Sequence, residues 1–184
     1  MKLPERLAHV AGEALAPVRA GADRLASKRF DLAAPKLSLT SEWFEDGEPL
    51  PDRCSVDGEG VPPPLLWSEP PPHARELVLI CEDPDAPSAE PFVHWLVYGI
   101  PAEARSLHGD LLARAREGEN SKREHGFAPA APPRGHGTHH YHFQLFALDA
   151  ALGLEPGVGR KTLLNGMDGH VIAYGEIIGT YVRS

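Results

Sequence analysis

The stretch Cys81–Pro101, CEDPDAPSAEPFVHWLVYGIP, decides how the rest of the chain is read. Its lead-in, Leu77-Val78-Leu79-Ile80-Cys81, is a short unbroken apolar run, the mark of a buried strand. The strand must stop at Glu82-Asp83-Pro84-Asp85-Ala86-Pro87, because proline has no N–H to give to a ladder. Two acids, Asp83 and Asp85, are left at the strand mouth. After a short turn the chain is apolar again from Phe92 to Tyr98. Strict alternation places His94, Leu96 and Tyr98 on one face and Val93, Trp95 and Val97 on the other. An acidic turn and a histidine on neighbouring strands make a candidate site.

A second segment adds to it. Pro132-Pro133-Arg134-Gly135-His136-Gly137-Thr138 is a turn that feeds the apolar run His139–Leu148. Alternation there puts His139 and Tyr141 on one face, with Phe143 and Leu145 beyond them.

DPDAP followed by a histidine on the next strand, then PPxGxGxHxY running into a strand, resembles the phosphatidylethanolamine-binding protein family, and its bacterial branch in particular. Leu39–Gly47 with Pro62–Trp67 resembles the branch's opening. Gly169-His170-Val171-Ile172-Ala173, with Glu176 and Gly179-Thr180-Tyr181, resembles its end. The match spans residues 37–184 and leaves 1–36 as an N-terminal helical extension. The resemblance implies a mainly β fold, a large antiparallel sheet packed on a smaller one with a few short helices. It also implies a pocket at one end for phosphate-bearing groups, phospholipid head groups among them. Asp83, Asp85, Pro87, His94, Pro132, Pro133, His139, Tyr141 and His170 are the implied ligand-binding residues. In that arrangement Asp83 orients His94, His139 and Tyr141 donate to the ligand, and the three prolines shape the rim. Asp85 fits the other common use of a turn aspartate, accepting from loop N–H groups. A homodimer is implied as well. Relatives that regulate kinases or proteases suggest partners of that kind, although a shared pocket does not fix the partner.

The whole chain is consistent with this reading. Its 184 residues suit one domain with a substantial core. A net charge of −8 argues against a nucleic-acid binder, which would show a basic stripe. Nineteen prolines and eighteen glycines, spread between apolar runs, favour short strands joined by ordered loops. Cys54 and Cys81 share no metal spacing and read as reduced thiols. No apolar run reaches the length of a membrane span, and the N-terminus lacks the apolar core of a secretory signal, so a cytoplasmic location is expected.

Residues 4–28 carry Leu7, Val10, Ala11, Ala14, Leu15 and Val18 at helical spacing, with breaks expected at Pro17 and Gly21. This helix is read as packing on the body or on a twin subunit; a membrane-surface helix is the alternative, weakened by Glu5, Glu13 and Asp23. Leu37–Leu50 is expected as an edge strand that turns at Asp46-Gly47. Asn120 is expected to satisfy loop backbone through its amide, Lys161–Leu164 to be helical, and Val171–Val182 to be strand, bulge and strand. Ala128 and Ala131 stand where many family members carry glycine, which predicts a narrower or more apolar mouth.

Three readings other than anion binding are open to these residues. His140 and His142 share a face and could hold zinc or copper, but a solvated or packed face is the simpler account, and no metal or other cofactor is expected. A His/Asp hydrolase would need a nucleophile, and neither Ser88, Ser121 nor Cys81 has a basic partner at a readable spacing, so no enzyme activity is expected. A vestigial pocket on an interaction protein is the third.

Overall fold

The apolar run that opens the argument forms the centre of the larger sheet. The computed structural model describes residues 5–30, 32, 37–107 and 110–183. In chain order the main elements are α1 (Glu5–Leu15), β1 (Leu39–Thr40), β2 (Leu65–Trp67), β3 (Glu76–Asp83), β4 (Phe92–Pro101), β5 (Ser106–Leu107), α2 (Asp110–Arg114), β6 (Arg116–Glu117), β7 (His139–Leu148), α3 (Arg160–Met167) and β8 (Val171–Tyr181). Five strands pair in the order β6-β4-β3-β7-β8, and three more in the order β1-β2-β5. Every pairing between these strands is antiparallel. The fold is mainly β, two antiparallel sheets face to face with few helices.

The core lies between the sheets. Leu77, Leu79, Cys81, Trp95, Val97, Phe143 and Leu145 from the large sheet meet Leu39, Leu65, Trp67 and Leu107 from the small one. The other face of the large sheet is also covered. Val78, Ile80, Leu96, Phe146 and Leu148 pack under Leu163, Leu164 and Met167 of α3 and under Ala26, with Phe30 and Leu32 alongside. A strand buried on both faces has no polar alternation, which is why β3 reads as a continuous apolar run.

Several expectations are corrected here. The Leu37–Leu50 segment forms a strand ladder only over Leu39–Thr40, with an isolated bridge from Pro49 to Thr180 of β8. Beyond it the Ser41 hydroxyl accepts the Trp43 N–H (3.2 Å) and turns the chain. The segment then leans on β8, with Gly47 and Leu50 N–H groups donating to the Ile178 and Thr180 carbonyls. Close approach is possible because residue 175 is glycine; a Cβ there would sit 2.4 Å from the Leu37 carbonyl oxygen. The C-terminal segment is one strand, with a single register shift near its start, opposite Ala147 and Leu148.

The N-terminal extension is not a loose appendage in the described residues. After α1 the chain makes two single 3₁₀ turns, Ala22–Arg24 and Ala26–Arg29. α1 packs on the body, but not by its apolar row, since Leu7, Val10 and Leu15 are exposed. It touches the body at Gly12, where a Cβ would lie 1.8 Å from the Arg134 carbonyl oxygen, and at His9, which lies against Gly135. The boundary expected at 36/37 falls beside residues 33–36, outside the described ones. No helix among the described residues is long and apolar enough to cross a membrane.

Candidate functional site

Antiparallel pairing brings three strand ends to one edge of the large sheet: the end of β3 at Asp83, the start of β4 at Phe92 and the start of β7 at His139. A cavity of about 200 Å³ opens there, lined by Asp83, Ala86, Pro87, Phe92, His94, Lys122, Pro129, Ala131, Pro132, Pro133, His139 and Tyr141. Of the nine residues expected from sequence, seven line it. Its walls are mostly proline, alanine and phenylalanine.

His94 reaches the cavity by a route that alternation does not foresee. β3 pairs Cys81 with Trp95 and Glu82 with Val93, so His94 is an unpaired extra residue, a β-bulge. The bulge turns His94 to the same face as Trp95 and returns Val93 to the face of Leu96 and Tyr98. The expected sharing of a face by His94, Leu96 and Tyr98 is therefore wrong. His94 stacks against Phe92 and Tyr141, at centroid distances of 4.6 and 5.0 Å.

Asp83 does not orient His94. The His94 Nδ1–H donates to the Ala128 carbonyl (2.6 Å), and the Ala128 N–H donates back to the His94 carbonyl (2.8 Å). Asp83 instead accepts from the Asp85 backbone N–H (2.8 Å) at Oδ1 and from His139 Nδ1–H (2.6 Å) at Oδ2. Nor is His139 free to donate from its other nitrogen. Its Nε2 lies 2.7 Å from His136 Nδ1, and the His136 Nε2–H donates to the Leu15 carbonyl (2.8 Å) at the end of α1. The three side chains form one hydrogen-bonded row from the pocket wall to the end of α1.

Asp85 and His170 are not in the cavity. Asp85 turns outward to the His140 backbone N–H (2.8 Å), His140 Nδ1 (2.7 Å) and the Arg19 guanidinium. Burial opposes its ionisation, but these hydrogen bonds prevail and hold its carboxyl below the usual range. Residues 19–21 run along the same turn, with the Ala20 and Gly21 N–H groups donating to the Ala86 (3.1 Å) and Pro84 (2.9 Å) carbonyls. His170 pairs with Asp149 (2.9 Å) beside the opposite end of β7. His142 pairs with Glu176 (2.9 Å), so His140 and His142 are each taken by a carboxylate.

Two contributors escaped the sequence reading. Lys122 lines the cavity from the turn that Asn120 organises, where the Asn120 amide holds the Lys122 and Glu124 N–H groups and the Gly126 carbonyl. His136 was visible only as one histidine of several in a turn.

The electrostatics follow from burial. Burial pushes the His94 imidazole down to about 4, with the hydrogen bond to Ala128 and the charge of Asp83 opposing it, so it is neutral near pH 7. Burial, then the charge of Asp83, pushes the Tyr141 phenol well above its ordinary value, so its hydroxyl keeps its proton. That hydroxyl is buried with no protein partner among the described residues. Because the unfolded chain binds a proton at His94 where the native one does not, His94 contributes stability above pH ~6.5 that is lost as pH falls through about 4. The loss over that window is about 3 kcal/mol. Urea titrations of wild type and His94→Gln between pH 7 and 4 should show the mutant less acid-sensitive by that amount; parallel curves would contradict the burial of a neutral imidazole.

A family model for phosphatidylethanolamine-binding protein matches residues 40–182. The chain belongs to the phosphatidylethanolamine-binding protein family. A relative from Chlamydia trachomatis, called UPF0098 protein, is 40% identical over 151 residues, covering 80% of this chain and 99% of its own. Among solved structures, a Chlamydia trachomatis homologue of phosphatidylethanolamine-binding protein superposes with a TM-score of 0.76 at 39% identity, over 82% of this chain and all of that one. Escherichia coli YbcL, described as a member of the mammalian family, gives 0.74 at 27% identity, over 81% and 99%. The phosphatidylethanolamine-binding fold thus accounts for everything from β1 to β8, and α1 with its two 3₁₀ turns lies before the matched region.

Proposed function

We propose that this chain is a non-catalytic binding protein for a small phosphate-bearing ligand, such as a phospholipid head group or a free phosphate monoester. The observation that carries the reading is the buried hydroxyl of Tyr141, a cavity-lining residue, which has no partner among the described residues. A buried unpaired hydroxyl costs roughly 1–3 kcal/mol, a cost that an oxygen-rich ligand removes. Lys122 adds a positive charge at the wall, opposite Asp83.

Binding is favoured over catalysis by the lining itself, which includes no serine, threonine or cysteine. Cys54 is pushed up to about 12, chiefly by burial, and Cys81 is raised well above its ordinary value for the same reason first, so neither offers a thiolate. The Ser121 hydroxyl accepts the Val93 N–H (2.8 Å), and the Ser88 hydroxyl donates to the Glu90 carbonyl (2.6 Å).

The test is thermal stability during titration with inorganic phosphate and with phosphoethanolamine at constant ionic strength. At a hundred times Kd, binding stabilises the wild type by about 2.7 kcal/mol. For a chain of this size that is a rise in Tm of roughly 5–10 °C. His94→Ala should show no saturable rise. A flat wild-type response to both ligands would end this reading.

A further inference from the structure

The polar groups that face the cavity divide by what they can do. Lys122 gives hydrogen bonds, and Tyr141 gives one because its hydroxyl keeps its proton and has no acceptor among the described residues. His94 takes. Its only ring proton is committed to the Ala128 carbonyl at 2.6 Å, so Nε2 presents a lone pair to the cavity. Asp83 also takes, since each of its oxygens accepts one bond and keeps further capacity. A ligand that brought only acceptors would set a lone pair against His94 and a charge against Asp83. Sulfate and a phosphate dianion are ligands of that kind.

Resting on the reading above, we propose that the pocket selects a phosphate monoester in its singly protonated form, the ligand's own P–OH donating to His94 Nε2 while its other oxygens accept from Tyr141 and Lys122. The groups that face His94 from every side are Asp83 on β3, Tyr141 and His139 on β7, and Lys122 on the loop after β6. Of these Asp83 and Lys122 oppose one another in charge, and His139 is tied to Asp83. The imidazole is therefore left without a carboxylate of its own to make it a cation. The proton that completes the contact comes with the ligand.

Calorimetric titration with phosphoethanolamine and with sulfate, at matched ionic strength from pH 5.5 to 8.5, tests this. A phosphate monoester loses its second proton near pH ~6, so wild-type affinity should fall about tenfold per pH unit above that point. Sulfate should not bind anywhere in the range. The ³¹P resonance of bound phosphoethanolamine should keep the monoanion position up to about pH 8, which separates a proton on the ligand from one taken up by His94. Tyr141→Phe should weaken binding about tenfold and keep the pH slope. His94→Gln, whose amide can turn N–H or oxygen to the ligand, should flatten the slope. A flat wild-type profile, sulfate binding as well as phosphoethanolamine, or a dianion resonance in the complex would overturn this inference and leave the anion pocket standing. No binding of either probe at any pH would remove both.

Discussion

Arg160→Met should lower stability by about 3–5 kcal/mol, because it strands a charge inside the protein. Glu82 is fully buried on the outer face of the large sheet. Its carboxylate accepts from the Arg160 guanidinium, the Ala26 N–H (2.7 Å) and the Gln144 amide (2.8 Å). Methionine keeps the length and apolar stem of arginine but cannot neutralise Glu82. In a chain of this length the expected drop in Tm is about 10 °C. The double variant Glu82→Gln/Arg160→Met should recover a large part of it. A glutamine oxygen can still accept from Ala26 and Gln144, and no charge remains to be solvated. Additive losses in the double variant would show that the arginine acts through packing alone.

The second large effect belongs to the site. Asp83→Ala should cost about 3–5 kcal/mol and abolish stabilisation by phosphoethanolamine. Asp83 is 3% exposed and accepts from His139 Nδ1–H and from the Asp85 backbone N–H. Without it both donors lose their acceptor in the interior. Asp85→Ala is the control. Its contacts to His140 and Arg19 lie at the surface, where such pairs are worth about 1 kcal/mol or less. That variant should melt nearly as wild type does and keep its ligand response. Equal behaviour of the two variants would place the site somewhere other than this cavity.

The contrast between the two aspartates shows what the sequence could and could not convey. The strands were legible because burial on both faces leaves an unbroken apolar run at Leu77–Cys81, and turn residues bound it on the far side. The set of cavity residues was legible from the joint order of Asp83, His94, Pro132, Pro133, His139 and Tyr141. Their partnerships were not. A bulge adds one residue to one strand, and a period of two cannot register it, so His94 was set on the wrong face. Asp83 bonds His139 while the Ala128 carbonyl takes the His94 proton, a choice of partners that no spacing conveys. Glu82 reads as one more acid of a polar turn, yet it is fully buried. Gly12, Ala20 and Ala26 carry the contacts of the N-terminal segment through backbone and small size, which leave no hydrophobic signature, while the apolar Leu7 and Val10 that do leave one face solvent. His170 sits in a family-like motif, but its ion pair with Asp149 belongs to the opposite end of the sandwich.

The N-terminal segment also fixes an order of assembly. Ser27 donates its N–H to Gln144, 117 residues later, and Arg24 offers its carbonyl to Arg160, 136 residues later. This early segment is thus among the last to find its place. At about 5–20 residues per second, roughly 6 to 23 seconds separate the synthesis of Ser27 from that of Gln144. For most of that interval the row of Leu7, Val10, Leu15 and Val18 is already made, while the turn that will receive Gly12, the Gln144 acceptor for Ser27 and the Arg160 donor for the Arg24 carbonyl do not yet exist. Closing contacts over such sequence separations is entropically slow. The segment that ties the pocket rim to the back of the sheet therefore acts as a clasp, fastened only once the sheet beneath it is complete.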